Sequence, residues 1–164
     1  MKLKIFSALV LILVCIQFVH NKPNDTNDNT NAIWNKYPTS DAVKSKLKSA
    51  CLDCHSNKTE YPWYAKYQPI QYWLSRHTNE GKKHLNFSEF TDKSIARQHH
   101  KLEETIEMIK EGEMPLSSYT YLGLHPDAKM SIEDKALIID WAQSIMDSLK
   151  STYPADSFVL KKRK

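Results

Sequence analysis

Apolar side chains recur at helical spacing in four separate stretches of this chain. The first begins at Thr39 or Ser40, whose hydroxyl groups are suited to cap a helix. Its apolar positions fall on one face, formed by Val43, Leu47 and Ala50. The pattern predicts a short helix whose C-terminal end delivers Cys51.

A second stretch begins at Pro69 and is predicted to end at Gly81. Glycine commonly follows the last residue of a helix. One face follows the i, i+3, i+4, i+7 pattern and carries Ile70, Trp73, Leu74 and His77. We therefore expect His77 to point inward.

The third stretch, from about Asp92 to Glu111, ends at Gly112. Its apolar stripe consists of Ile95, Leu102, Ile106 and Ile109. His99 shares that side, whereas His100 and Met108 lie off it.

The fourth stretch begins at Ser131, with Asp134 as a partial capping box, and runs to about Lys150. Its apolar face consists of Leu137, Ile138, Trp141, Ile145 and Leu149. A loop from residue 113 to residue 130 separates this stretch from the third. Long ordered loops are uncommon in small domains and usually have a functional role.

Composition agrees with a helical fold. The chain has 164 residues, 41% of them hydrophobic, and only 3 glycines, and it contains no internal repeat and no glycine-rich phosphate loop. Residues with high helix propensity are common, and Val-rich alternating runs are few. We expect an all-α fold with a single domain from residue 34 to residue 150.

The N-terminal segment, residues 1–20, places Lys2 and Lys4 ahead of an apolar run. This pattern is typical of an export signal. The run is short for a spanning helix, and no A-x-A-like cleavage site follows it. We favour an uncleaved membrane anchor over a cleaved peptide, with lipidation of Cys15 as a third alternative. The protein is therefore expected in the periplasm, tethered to the membrane.

Two further segments are polar. Residues 21–33 are rich in Asn, Asp and Thr and are predicted to form a disordered tether. Residues 151–164 form a basic tail that contributes to the net charge of +4. An exported chain rarely meets nucleic acid, so we interpret the tail as a solubilising surface and expect no nucleic-acid partner.

The pentapeptide CLDCH holds Cys51, Cys54 and His55, and with them every thiol outside the N-terminal run. A structural zinc site would need a second ligand pair, and no other cysteine is available. A thioredoxin-like pair would need a βαβ setting, and a disulfide across so small a loop would stabilise little. C-x-x-C-H is the attachment pattern of c-type haem, with two thioether cysteines and a histidine ligand to iron. The motif predicts one covalent haem.

A six-coordinate haem iron needs a second axial ligand, and the long loop is expected to supply it. Met114 lies outside any predicted helix and precedes Pro115, which fixes the local backbone. A thioether ligand would favour Fe(II) and raise the reduction potential. The inward His77 is the main alternative. Weaker candidates are His84, His99, His100 and His125.

With these residues in view, the chain resembles the haem-binding-domain family of exported bacterial c-type cytochrome-like proteins. The likeness runs from about Ala42 to Trp141 and rests on the blocks CLDCHSNKTEYPWY, QPIQYWLSRHTNEGKKHLNFSEF and GEMPLSSYTYLGLHPDAKMS. The resemblance implies covalent haem at Cys51 and Cys54, with His55 as proximal ligand. The chain is also similar to class I cytochromes c, in which a methionine before the last helix supplies the sixth ligand.

These observations favour a monohaem c-type cytochrome that passes single electrons between redox protein partners and is not an enzyme. The alternative is a haem enzyme or a sensor of peroxide or gas with an open sixth iron position, in which His77 or His99 would serve as the acid-base group. A purely structural anchor with an unused motif is a third hypothesis.

Overall fold

The computed structural model describes residues 1–121 and 124–160, and within them every regular element is a helix and no β-strand is present. This confirms the all-α prediction. The α-helices are α1 (Lys2–Ile16), α2 (Ile33–Lys36), α3 (Asp41–Ala50), α4 (Leu52–His55), α5 (Ile70–His84), α6 (Ile95–Glu111), α7 (Ser117–Thr120) and α8 (Ile132–Thr152). Short 3-10 turns occupy Trp63–Lys66, Pro126–Ala128 and Ala155–Phe158.

Helix α3 forms as its sequence pattern predicts. The Val43 N–H donates to Ser40 Oγ at 3.3 Å, which satisfies one free donor of the first turn. The apolar face is buried, with Leu47 fully inaccessible to solvent. The Cys51 N–H then donates to the Leu47 carbonyl at 2.8 Å, so the first cysteine lies at the helix end.

Helices α6 and α8 form the centre of the hydrophobic core. Helix α6 begins after the cap Ser94 and ends at Gly112, which adopts a left-handed φ of 79°. Helix α8 begins with a complete capping box between Ser131 and Asp134. The predicted stripes of both helices supply much of the core, including Leu102, Ile106, Ile109, Ile138, Trp141, Ile145 and Leu149.

Helix α5 differs from its prediction at its C-terminal end, because it continues through Gly81 to His84. The predicted stop at Gly81 is wrong. A Cβ atom at Gly81 would lie 2.6 Å from the Cys54 carbonyl oxygen. The glycine is therefore needed for the close approach of α5 to α4, and it does not end the helix.

The buried face of α5 is also different from the predicted one. Its buried residues are Ser75 and Thr78, whereas Ile70 is 38% and Trp73 is 45% exposed. Small polar side chains permit the close packing of α5, and the apolar side chains are left on the other face. The half-buried His77 lies on that other face, which borders cavities instead of the core.

The N-terminal part of the chain is helical from Lys2 to Ile16. Within residues 1–121 and 124–160, no helix combines the length and the apolar character that a membrane crossing requires.

Residues 24–31, inside the predicted tether, lie against the domain. Asn24 Nδ2 donates to the Ser56 carbonyl at 2.9 Å, and Asn57 Nδ2 donates to the Asp28 carbonyl at 3.0 Å. Side-chain and backbone groups of this polar segment thus form hydrogen bonds with the domain.

The predicted long loop between α6 and α8 contains α7 and the turn Pro126–Ala128. Leu122 and Gly123 of this loop lie outside the described residues, as do residues 161–164 of the predicted basic tail. Within the described part of that tail, the turn Ala155–Phe158 packs on α6, where the Phe158 ring centroid lies 5.2 Å from that of His99.

Candidate functional site

A cavity of about 530 Å³ opens among α4, α5, α6 and the loop that follows α6. This volume falls in the range of about 300–1,000 Å³ that is usual for cofactor and ligand pockets. Both cysteines of the C-x-x-C-H motif line it, together with His55, Met114 and His77. The fold therefore brings the predicted attachment residues and both main candidates for a sixth ligand to one place.

The motif itself folds as a helical turn. The Cys54 and His55 N–H groups donate to the Cys51 carbonyl at 3.2 Å and 2.9 Å. Residues at i, i+3 and i+4 of a helix share a face. The spacing of Cys51, Cys54 and His55 therefore presents the two thiols and the imidazole to the cavity together.

The tautomer of His55 follows from its hydrogen bond. Its Nδ1 lies 3.0 Å from the Leu85 carbonyl oxygen, which can only accept, so Nδ1 carries the proton. Burial lowers the pKa of His55, so the ring is neutral at physiological pH. The lone pair of Nε2 is then available to a metal, in the arrangement that ligating histidines generally adopt.

The two thiols are held in their neutral form. Burial raises the pKa of Cys51 to about 12 and that of Cys54 to about 11. Thiolates, the nucleophilic form of cysteine, are therefore scarce at neutral pH. Neither Cys51 nor Cys54 forms a disulfide, so both thiols are available for covalent attachment of a cofactor.

Met114 follows a helix end that is well defined. After Gly112, the N–H groups of Glu113 and Met114 donate to the Met108 carbonyl at 3.0 Å and 3.2 Å. The same carbonyl also accepts from the Gly112 N–H, so the chain just after α6 is held against the last turn of the helix. The turn directs the chain so that Met114 and Pro115 line the cavity.

His77 lies in the same cavity, with its ring centroid 4.4 Å from that of Trp73. Of the weaker histidine candidates, His84 also lines the cavity. The others lie elsewhere: His99 against Phe158, His100 beside Glu103 and Glu104, and His125 stacked on Tyr119.

Sequence reasoning missed several cavity residues on α6. Lys101 and Glu104 form an ion pair at the cavity, and Thr105 and Met108 lie beside them. These four positions follow the same i, i+3, i+4, i+7 spacing as the core stripe. A search for a second face of mixed polarity would have found them, whereas a search for apolar positions alone did not.

Two more cavity residues come from the loop after α6. Met130, the last residue before the α8 cap, lines the cavity and packs against the core. Tyr119 lines the cavity from α7, and its hydroxyl donates to Asp53 Oδ2 at 2.6 Å. No periodic signal marks either residue in the sequence.

Comparison with known protein families supplies the deciding observation. A family model described as the haem-binding domain matches residues 11–144, which include every cavity residue named above. This chain belongs to the haem-binding-domain family. The resemblance found in the sequence is thereby confirmed for the family. No curated protein and no solved structure shows a significant match to the chain.

The residues of this haem-binding domain fit a haem group. The cavity has a suitable volume, two thiols beside a neutral imidazole, and further thioether and imidazole groups on its walls. Phe87 packs edge-on against His55, with ring centroids 6.5 Å apart, and limits the movement of the imidazole. Among residues 1–121 and 124–160, no group of three His, Cys, Asp or Glu side chains is placed to hold a bare metal ion.

Proposed function

We propose that this haem-binding domain is a monohaem c-type cytochrome that passes single electrons between redox proteins. The observation that supports the proposal is the presence of Cys51, Cys54, His55 and Met114 on the walls of one cavity. When bound there, a haem would supply an iron that changes its charge by one electron. The thiols would hold the group as thioethers, and His55 Nε2 would bind the iron.

Met114 is the favoured sixth ligand. The Gly112 turn and Pro115 constrain its backbone, and a thioether suits an electron carrier of raised potential. His77 is the alternative ligand, since it lines the same cavity. With both axial positions filled by side chains, the protein would carry electrons without acting on a substrate.

A second function is supported by the acid-base groups at the cavity. His77, His84 and Glu104 line it, and each could hold or transfer a proton beside an open iron position. In that case the domain would be a haem enzyme or a sensor of peroxide or a diatomic gas.

The cellular setting is also a proposal. Lys2 and Lys4 lie in the first turn of α1, and the large apolar side chains that follow them are exposed; this arrangement supports export with retention at the membrane. A tethered haem would meet membrane-bound redox partners at a raised effective concentration.

The first experiment is co-expression with a c-type maturation system, followed by spectra of the oxidised and reduced protein with and without carbon monoxide. We expect a low-spin spectrum that carbon monoxide does not change, because His55 and Met114 would both bind the iron. Rapid binding of carbon monoxide would favour the enzyme or sensor.

The matched variant replaces both cysteines, Cys51→Ala with Cys54→Ala. We expect haem staining after denaturing electrophoresis in the wild type and none in the variant, since only thioether bonds survive denaturation. Staining that persists in the variant would exclude c-type attachment at these residues.

A further inference from the structure

Tyr119 joins three parts of the chain at the edge of the cavity. It lies on α7, a few residues after Met114, and its hydroxyl donates to Asp53 Oδ2 at 2.6 Å. Its ring is stacked on that of His125, with centroids 4.1 Å apart and planes inclined by 11°. Tyr119 thus connects both arms of the loop after α6 to the helix α4 of the C-x-x-C-H motif.

The acceptor of this hydrogen bond is itself fixed. Asp53 lies between the two motif cysteines, and its Oδ1 accepts from the Glu60 N–H at 2.9 Å. The Asp53 carbonyl oxygen accepts from Thr59 Oγ1 at 2.6 Å. Tyr119 therefore bonds to a carboxylate whose position is set by two other contacts, and bonds to a charged acceptor are about twice as strong as neutral ones.

The donor is equally well defined. Burial, together with the hydrogen bond to Asp53, raises the pKa of Tyr119 far above its usual range. The hydroxyl therefore keeps its proton throughout the physiological range and donates to Asp53 continuously.

Met114 therefore lies between two points at which the loop is attached to the domain. At its start, the Met114 N–H donates to the Met108 carbonyl at the end of α6. Farther along, the Tyr119 N–H donates to the Leu116 carbonyl at 2.9 Å, which closes the turn of α7, and the Tyr119 hydroxyl bonds to α4. Loss of the second attachment would remove the hydrogen bond that ties the segment after Met114 to α4.

We propose that Tyr119 is a positioning residue, which through its hydrogen bond to Asp53 holds the Met114 loop closed over the cavity of the two cysteines. The inference rests on the proposed function in which Met114 is the sixth ligand. A closed loop would hold the Met114 thioether beside a bound haem and would keep external ligands out.

The test compares Tyr119→Phe with the wild type as the full, haem-loaded chain. The variant keeps the ring that stacks on His125 and loses only the hydroxyl. Because a hydrogen bond to a charged group is lost, we expect the open population of the loop to rise about 10- to 100-fold, and carbon monoxide binding to the reduced protein to accelerate by the same factor. The red-end absorption band of the oxidised iron–thioether bond should weaken. Tyr121→Phe, at a residue 67% exposed in the same loop, is the control and should match the wild type.

Met114→Ala is measured alongside, and it distinguishes the positioning role of Tyr119 from the proposed role of Met114 as the sixth ligand. Rapid carbon monoxide binding in Met114→Ala with wild-type behaviour in Tyr119→Phe would overturn the role of Tyr119 and leave the ligand in place. A Met114→Ala variant that keeps the wild-type spectrum would show that Met114 is not a ligand, and the positioning role would fall with it.

A second measurement does not depend on haem. Hydrogen exchange of the amides of residues 113–121 should be about 10- to 100-fold faster in Tyr119→Phe, with or without the cofactor. Asp53→Ala removes the acceptor instead of the donor and should give the same result if Tyr119→Phe cannot be produced. Wild-type exchange rates in both variants would overturn the proposal.

Discussion

Gly81 shows how a single residue sets the geometry of the candidate site. The absence of a side chain lets α5 approach the backbone of Cys54, where an added Cβ would lie 2.6 Å from a carbonyl oxygen. His55 lies next to this contact, and its imidazole is oriented by the Leu85 carbonyl that follows α5. The position of α5 therefore affects both the second cysteine and the proposed iron ligand.

Gly81→Ala should destabilise the protein although alanine is the better helix former. The gain in helix propensity is up to about 1 kcal/mol, whereas overpacking against a backbone atom costs about 1–3 kcal/mol. We expect a net loss in the free energy of unfolding, measured by urea denaturation with circular dichroism. Asn79→Ala, at an exposed position of the same helix, provides the control and should be neutral or slightly stabilising. A Gly81→Ala variant as stable as that control would contradict the close approach.

At the scale of the elements, the start of α8 combines local and tertiary contacts. The Ser131 N–H donates to Asp134 Oδ2 at 3.1 Å, and the Asp134 N–H donates back to Ser131 Oγ at 3.1 Å. Lys46 of α3 reaches the same carboxylate at 3.0 Å. The capping box thus also ties α8 to the helix that precedes the C-x-x-C-H motif.

Asp134 makes the stability of this junction depend on pH. The hydrogen bond from Lys46 and, to a smaller extent, that from the Ser131 backbone lower the pKa of Asp134 below its ordinary value. A carboxyl whose folded pKa is depressed stabilises the fold above its unfolded pKa and loses that effect as the pH falls through the folded pKa.

We therefore expect the wild type to lose stability between about pH 4 and pH 2 more steeply than Asp134→Asn does. Urea midpoints at pH 6 and pH 2.5 test this difference. Asp140→Asn, on the same helix, corrects for the general effect of removing a carboxylate. An identical loss of stability in wild type and Asp134→Asn would show that the contact has no effect on acid unfolding.

At the scale of the whole molecule, the chain consists of a compact domain and an apolar helix whose side chains lie outside the core. Leu3, Phe6 and Leu11 of α1 are 76%, 64% and 63% exposed. Exposed apolar surface of this extent is typical of a segment that meets a partner or a membrane. Gln17, just after α1, accepts from the Gln68 N–H at 3.0 Å and so connects this helix to the region before α5.

The full-length chain should float with phospholipid vesicles in a density gradient. Transfer of the α1 side chains into lipid is favourable, whereas each Asp placed in the apolar region costs about 2.5–3.5 kcal/mol. Leu9→Asp with Leu13→Asp should therefore remain with the soluble fraction. Ser7→Ala keeps the apolar character and should float like the wild type. If the wild-type chain itself stays unbound, the proposed retention at the membrane is wrong.

The sequence by itself determined the four long helices of the domain, most of their caps and the common face of the three C-x-x-C-H side chains. Each of these depends on residues close together in the chain. A cap needs a donor and acceptor three residues apart, as at Ser131 and Asp134, and the i, i+3, i+4 spacing of the motif places its three side chains on one helical face. The spacing of residues along the chain was therefore sufficient to predict these features.

Only the tertiary structure decided which helix faces border the core and which border the cavity. Periodicity marks the apolar face of α5, but an apolar face packs equally well against a protein core or around a cofactor. The close approach at Gly81 sends Ser75 and Thr78 inward and turns His77 toward the cavity. Tyr119 and Asp53 are 66 residues apart, so no local pattern could pair them. Their contact exists because the loop after α6 folds back over α4.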